Sequence, residues 1–303
     1  MIVAVTGGTG FVGGHLLAAA TAHGHTVRAL ARRPQPPLPK VEWITGDLAN
    51  PGALCDGADA VIHIAGTITA TSRAEFDAGN VAGTASIIAA TRAAGVRRFV
   101  HVSSLAAREP GLSDYGASKA AAEALVAASG LDWAIVRPPG VYGPGDRETL
   151  PVFQMVARGI AVLPGDGRFS LIEVGDLSAA LLALAASDAG GIAEIDDGHE
   201  AYSHADLARA IGMAVGRFPI RLRLPLAVLR ATATIETTLA RIQKRGPRMT
   251  HDRARYLAHP DWVAATARGL PATLWQPKVP LAEGLARAVA WYRANGWLAA
   301  ARL

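Results

Sequence analysis

An apolar run followed by a glycine-spaced turn and then a helical stretch opens the chain. Ile2-Val3-Ala4-Val5 reads as a strand and passes directly into Thr6-Gly7-Gly8-Thr9-Gly10-Phe11-Val12-Gly13. Gly7 suits the tight turn out of the strand, Gly10 lets the backbone approach a pyrophosphate, and Gly13 lets the following helix pack closely on a sheet. The helix N-terminus at Phe11 and Val12 presents unpaired N–H groups and a partial positive charge to phosphate. Three glycines at this spacing are weak evidence alone. Between a strand and a helix in a first βαβ unit they are a dinucleotide-binding fingerprint.

The end of the second strand bears on which dinucleotide. A carboxylate there accepts hydrogen bonds from the adenosine ribose hydroxyls. This chain instead reads Val27-Arg28-Ala29-Leu30-Ala31-Arg32-Arg33, with two arginines in that place. Guanidinium groups make forked, charge-assisted hydrogen bonds to phosphate, so Arg32 and Arg33 point to NADP(H) over NAD(H) through the 2′-phosphate. Asp47-Leu48, after the third strand, puts a carboxylate within reach of an adenine amino group.

The first half alternates β-branched runs with alanine-rich stretches, the pattern of a parallel sheet covered by helices. Strands are expected over 2–5, 26–31, 41–44, 60–64, 98–102 and 133–137, and helices over 12–23, 73–94, 115–129 and 177–186. The fold class is therefore α/β: a doubly wound parallel-sheet Rossmann domain with a smaller, mixed α/β C-terminal lobe that binds substrate. Residues 1–165 form the first, with 172–190 returning to it, and 166–303 the second. Further helices are expected over 204–212 and 281–295. With 303 residues, half of them apolar, the chain can bury a substantial core.

The remaining composition narrows the function classes. The single cysteine, Cys55, excludes an intramolecular disulfide and a cysteine-based zinc site. No His/Asp/Glu spacing resembles a metal site, so no metal is expected. The net charge of +5 comes from scattered arginines, apart from the stretch from Arg217 to Arg255. It reads as a solvated basic surface, with no nucleic-acid partner. No run reaches the roughly 18 apolar residues of a membrane span. No basic segment precedes an apolar one at the N-terminus, which leads to the expectation of a cytoplasmic protein. The stretch 222–245 has the pattern of an amphipathic helix, which either caps a pocket or makes peripheral membrane contact. His63 and His101 fall inside strands and read as core residues.

Tyr115-Gly116-Ala117-Ser118-Lys119 places a tyrosine and a lysine on one face of a helix, one turn apart. An ammonium beside a phenol favours the phenolate and pulls the tyrosine pKa down from its usual ~10. Such a tyrosine can give or take a hydroxyl proton. Eleven residues earlier, Ser103-Ser104 ends the fifth strand, where a hydroxyl can hold a substrate oxygen.

Taken in order, Thr6 to Gly13, Asp47-Leu48, Asn80-Val-Ala-Gly-Thr84, Val102-Ser103-Ser104, Tyr115-x-x-x-Lys119 and Arg137-Pro-Pro-Gly-Val-Tyr-Gly-Pro-Gly145 resemble the extended short-chain dehydrogenase/reductases, also called the NAD-dependent epimerase/dehydratase superfamily. The resemblance spans nearly the whole chain and is nearer the hydroxysteroid and dihydroflavonol-type carbonyl-reductase branch. It implies Tyr115 as general acid/base, Lys119 on the nicotinamide ribose, and Ser104 as the oxyanion-side hydroxyl with Ser103 as fallback. It also implies Gly66 facing the cofactor, and Pro138 and Val141 near the nicotinamide. The chain departs from the family in a trimmed loop between Ser104 and Tyr115, in Val174-Gly175-Asp176 and in Leu274-Trp275.

Three functions remain open at this stage. The first is NADP(H)-dependent reduction of a ketone on a largely apolar small molecule, lipid-like or polycyclic. The apolar stretch from Phe218 to Leu229 favours it. The second is epimerisation or dehydration of a nucleotide sugar, for which Arg217, Arg221 and Arg223 could hold the diphosphate. The third is a non-catalytic NADP(H)-binding protein, which the retained Ser104, Tyr115 and Lys119 disfavour. A monomer or homodimer is expected in each case.

Overall fold

The computed structural model describes residues 1–223 and 259–299, with Val228, Ala231, Thr234, Glu236, Arg255 and Tyr256. The described chain forms two compact units. The first comprises Met1–Pro138, Gly175–Ile195 and Ala265–Gln276, and the second Pro139–Val174, Asp196–Ala264 and Pro277–Leu303.

The first unit is built on β1 (Ile2–Thr6), β2 (Thr26–Ala31), β3 (Val41–Thr45), β4 (Ala60–His63), β5 (Arg98–Val102) and β6 (Asp132–Arg137). These are the six expected strands, displaced by no more than a residue at either end. Val3, Val5, Val27, Ile62, Val100 and Ile135 are buried along them, as strands covered on both faces require. A seventh strand, Gly191–Glu194 (β11 in chain order), extends β6, so that the parallel order is β11-β6-β5-β4-β1-β2-β3. After β3 the chain crosses to the far side of β1 and adds β4 there. That reversal leaves a crevice at the C-terminal ends of β1 and β4, where doubly wound folds bind their ligands.

The flanking helices are α1 (Phe11–Ala22), α2 (Arg73–Phe76), α3 (Gly83–Ala93) and α4 (Asp114–Ala127). The continuous helix expected over 73–94 is interrupted, because Asp77–Ala82 winds as a π-helix between α2 and α3. Gly79 explains the local packing. A Cβ there would lie 2.0 Å from the Thr67 hydroxyl, so only glycine allows this approach.

The second unit holds β7 (Gly140–Tyr142), α5 (Leu150–Ala157), β8 (Ile160–Leu163), β9 (Arg168–Phe169) and β10 (Leu171–Glu173). It continues with β12 (Tyr202–Ser203), α7 (His204–Val215), β13 (Ile220–Arg223), β14 (Asp261–Trp262) and α8 (Leu281–Ala294). Helix α6 (Val174–Ala185) starts at its edge and runs in the first unit. The core of the second unit gathers Tyr142, Phe153, Leu163, Ile211, Leu285 and Tyr292. Helix α7 has a full capping box, with Ser203 and Asp206 bonding each other's backbone N–H, and closes on Gly216 in the left-handed conformation. The amphipathic stretch expected over 222–245 lies almost wholly outside the described residues. No helix among the described residues is long and apolar enough to cross a membrane.

Candidate active site

The glycine turn is closed by contacts that admit no side chain. Gly7 lies at φ +77°, and a Cβ on it would meet the Ala65 backbone N at 2.8 Å. A Cβ on Gly13 would fall 2.0 Å from the Gly7 carbonyl. The Gly10 N–H donates to that same carbonyl at 2.9 Å, and Gly10 caps α1 without a side chain. The N-terminus of α1, at Phe11 and Val12, has no acid in its first turn and carries no side-chain cap. This is a cradle shaped for backbone N–H groups to face a phosphate, and the residues fit a dinucleotide.

Arg32 and Arg33 follow the last residue of β2. Both are exposed, and neither is in an ion pair among the described residues. Asp47 accepts the Ala49 and Asn50 N–H groups on one oxygen, at 2.9 and 2.8 Å. Leu48 packs on Gly83, where a Cβ would approach it to 2.8 Å. A groove of about 510 Å³ beside the loop is lined by Gly8, Leu17, Pro36 and Trp43, and by none of Ser104, Tyr115 or Lys119.

Ser104, Tyr115 and Lys119 gather at the C-terminal end of β5. Ser113 starts α4 by accepting the Gly116 N–H at 3.0 Å, which sets Tyr115 in the first turn and Lys119 one turn later. The Tyr115 and Ser104 hydroxyls share a hydrogen bond, and Ser104 also accepts the Ala106 N–H at 3.2 Å. Lys119 donates from Nζ to the Val102 carbonyl at 2.7 Å. A Cβ on Gly66 would meet Asn80 Oδ1 at 2.7 Å and Lys119 Nζ at 4.0 Å, so Gly66 borders the same place.

Ser103 is turned away. Its hydroxyl donates to Glu123 at 2.5 Å, and Glu123 takes a bidentate pair from Arg137 at 2.8 and 2.6 Å. Glu194, on β11, pairs with Arg137 at 3.4 Å and with Arg108 at 3.3 Å, and accepts the Ala265 N–H at 2.9 Å. Of the two serines, Ser104 alone bonds to Tyr115. Pro138 is buried after β6, and its carbonyl accepts the Leu105 N–H at 3.1 Å. Val141 belongs to the second unit, on β7, paired in register with Ile172.

The charge states differ from the sequence expectation in one respect. Burial raises the Tyr115 phenol above its ordinary value, and the bond to Ser104 opposes this only in part. Lys119 does not offset this rise. Lys119 is itself lowered to about 8 by burial, against the attraction of Glu123.

A second set of residues supports the site and was not assigned a role from sequence. Thr6 accepts the Ile64 and Ala65 N–H groups at 3.2 and 3.1 Å and faces His63 Nδ1 at 2.7 Å. His63 Nε2 faces Thr84 at 3.0 Å, and Thr84 donates to the Asn80 carbonyl at 2.6 Å. One tautomer satisfies every member: Thr6 donates to Nδ1, and Nε2–H donates to Thr84. Burial holds His63 neutral, with its pKa lowered to about 3. The Asn80 amide then bonds Thr67 and Ser118, and Ser118 donates to the Tyr115 carbonyl at 2.8 Å. A hydrogen-bond chain thus runs from the end of β1 to the helix that carries Tyr115. The only sequence signal for it was the Asn80–Thr84 motif.

Among the described residues, no group of His, Cys, Asp or Glu is placed to hold a metal ion. The sequence profile of the NAD dependent epimerase/dehydratase family matches residues 3–195. The chain belongs to that family, the extended short-chain dehydrogenase/reductases. It is 39% identical to the ceramide reductase of Caulobacter vibrioides, over 98% of this chain and 96% of that one. It is 32% identical to the 2-alkyl-3-oxoalkanoate reductase of Stenotrophomonas maltophilia, over 95% and 98%. Among solved structures it resembles MoeE5 in complex with UDP-glucose and NAD, with a TM-score of 0.74 and 25% identity over 97% of this chain and 99% of that one. The protein is an oxidoreductase of the carbonyl/alcohol type, in the reductase branch of a family that binds a nicotinamide dinucleotide.

Proposed function

We propose that the protein is an NADP(H)-dependent reductase of a ketone carried on a largely apolar, lipid-like or polycyclic molecule. The observation that carries the reading is the shared hydrogen bond of Tyr115 and Ser104, with Lys119 one helical turn away. Two hydroxyls in that relation can converge on a single carbonyl oxygen.

The reduced nicotinamide, when bound, supplies hydride to the carbonyl carbon. As negative charge develops on the oxygen, Ser104 donates a hydrogen bond to it and Tyr115 transfers its proton. Both contacts strengthen toward the transition state, which is what makes them catalytic. The raised pKa of Tyr115 suits this direction, because a phenol that keeps its proton is ready to act as an acid. Lys119, lowered only to about 8, remains charged at neutral pH. It offers donors to the nicotinamide ribose. Arg32 and Arg33, exposed where an NAD enzyme has a carboxylate, support NADP(H). The two reductase relatives act, by their names, on ceramide and on alkyl oxoalkanoates, which supports a lipid-like substrate.

The likeness to a protein bound to UDP-glucose favours a second reading, nucleotide-sugar epimerisation. The two are separated by following NADPH consumption with a homologous series of 3-keto lipids, and by following product formation from UDP- and dTDP-sugars, since an epimerase returns its hydride to the substrate and consumes no net NADPH. Each buried methylene adds about 0.8 kcal/mol, so kcat/KM should rise roughly fourfold per carbon until the pocket fills. Turnover of a nucleotide sugar with no trend along the ketone series would establish the epimerase instead.

A further inference from the structure

One surface of the second unit inverts the usual arrangement of a strand pair. β13 pairs with β8 in parallel, Ile220 with Ile160 and Leu222 with Val162. The alternation of side chains along a strand puts these four on one face. The other face of β8 enters the core through Ala161 and Leu163. The outward face is therefore apolar at all four positions, where a half-buried sheet ordinarily carries polar residues. Ile220 is 70% exposed and Leu222 46%.

The segment that leads into β13 extends the patch. Arg217 N–H bonds the Gly212 carbonyl at 2.8 Å and Ile220 N–H the Gly159 carbonyl at 2.8 Å. These bonds fold residues 216–220 against the last turn of α7 and the start of β8. Phe218, 82% exposed, and Met213, 60% exposed, stand there. Arg158, Arg217 and Arg221 are exposed around these side chains and form no ion pair among the described residues, while Arg223 meets Asp166 at 3.5 Å. In sequence, residues 217–255 carry ten Lys and Arg against two Asp and Glu, a net +8 in a chain of net +5. The rest of the protein is thus net negative, and Arg217 and Arg221 of the basic stretch stand beside the exposed apolar side chains.

We propose that this face of the second unit docks on the surface of an anionic lipid bilayer. Phe218, Ile220 and Met213 enter the boundary between headgroups and acyl chains, and Arg158, Arg217 and Arg221 meet the lipid phosphates. Charge complementarity selects an anionic surface. The aliphatic side chains select a bilayer over a nucleic acid, since Ile and Met gain by burial in hydrocarbon and gain little on a phosphodiester backbone. The site does not depend on the reductase reading, and its test uses no substrate.

The test is flotation of the full chain with phosphatidylcholine vesicles, made with and without phosphatidylglycerol. The protein should float with the anionic vesicles, and added salt should weaken the association. Each arginine strengthens binding by about fivefold, so R217Q/R221Q should lower partitioning by roughly twenty-fivefold. F218S/I220S should lower it at least tenfold, because each side chain gives up the burial of an apolar surface. Both pairs are exposed, so thermal midpoints should hold. Absence of flotation, or flotation that both double variants retain, overturns the proposal. So does a dimer in light scattering that F218S/I220S splits, which makes the face a contact between copies. Binding of duplex oligonucleotide in preference to anionic vesicles also overturns it.

Discussion

Two sets of polar side chains, one in each unit, stand in opposite surroundings. In the first, Thr6, His63, Asn80, Thr84, Lys119, Glu123, Arg137 and Glu194 are buried, and each has a hydrogen-bond partner. In the second, Arg158, Arg217 and Arg221 stand in solvent beside exposed apolar residues. Buried charges and polar groups are tolerated only when partnered, and once partnered they fix geometry. Proton transfer needs that fixity, which supports the proposal of the chemistry in the first unit. Unpartnered surface charge is available to meet another surface.

The largest expected effect tests the chemistry. Tyr115→Phe keeps the ring but removes the proton donor. Turnover should fall by about 10²–10⁴ while NADPH binding, followed by fluorescence titration, is retained. Full activity in this variant would end the assignment of the first unit as the catalytic one.

Arg137→Met tests whether the buried charges determine stability. It leaves Glu123 and Glu194 without their shared guanidinium, and breaking such a buried pair costs about 3–5 kcal/mol. Chemical denaturation should show that loss, and adding Glu123→Leu should recover part of it. A loss below about 1 kcal/mol would mean that the network is solvated like a surface pair.

Lys119 gives a pH signature to the same interior. The unfolded chain protonates this lysine below about 10.4, whereas the folded chain does so only below about 8. Between the two values the unfolded state binds more protons, so stability rises with pH across that window, by about 3 kcal/mol in all. Below pH 8 the penalty is constant. Lys119→Met should abolish the slope, and parallel pH–stability curves for the two proteins would contradict the burial of an ammonium here.

Arg32→Asp tests a pair of first-unit charges that, like those of the second unit, stand in solvent. Hydrogen bonds to charged groups contribute about 1.5–3 kcal/mol. The preference for NADPH over NADH, read as a ratio of dissociation constants, should therefore fall by roughly ten- to a hundredfold. An unchanged ratio would assign the 2′-phosphate to other residues.

Much of this was legible in the sequence, and what was missed has a common cause. Strand boundaries, the glycine turn and the Tyr115/Lys119 spacing are local patterns, and they lie where the sequence predicts them. Glu123, Arg137 and Glu194 meet from α4, β6 and β11, and no spacing rule joins residues 14 and 57 positions apart. The chain Thr6–His63–Thr84–Asn80 likewise closes only once β1 and β4 are neighbours. The π-helix at Asp77–Ala82 was invisible because Gly79 is answered by Thr67, a residue outside the helix. The expected lowering of the Tyr115 pKa failed because spacing alone takes no account of desolvation.

The smallest effect addresses whether the two units respond separately. Ser203 caps α7 by accepting the Asp206 N–H at 3.1 Å, while Asp206 accepts the Ser203 N–H at 3.1 Å. Ser203→Ala removes one side of that box and should cost about 1 kcal/mol. The cap lies within the second unit, on the helix whose last turn carries Met213. Hydrogen exchange should therefore speed up along α7, while amides of β5 and α4 keep their protection and the dissociation constant for NADPH stays the same. Local opening of this kind is expected where a cooperative unit is bounded. If β5 and α4 lose protection in step with α7, the chain unfolds as one cooperative body. The contrast between an interior held by partnered charges and a surface of unpartnered ones would then describe two faces of a single folding unit.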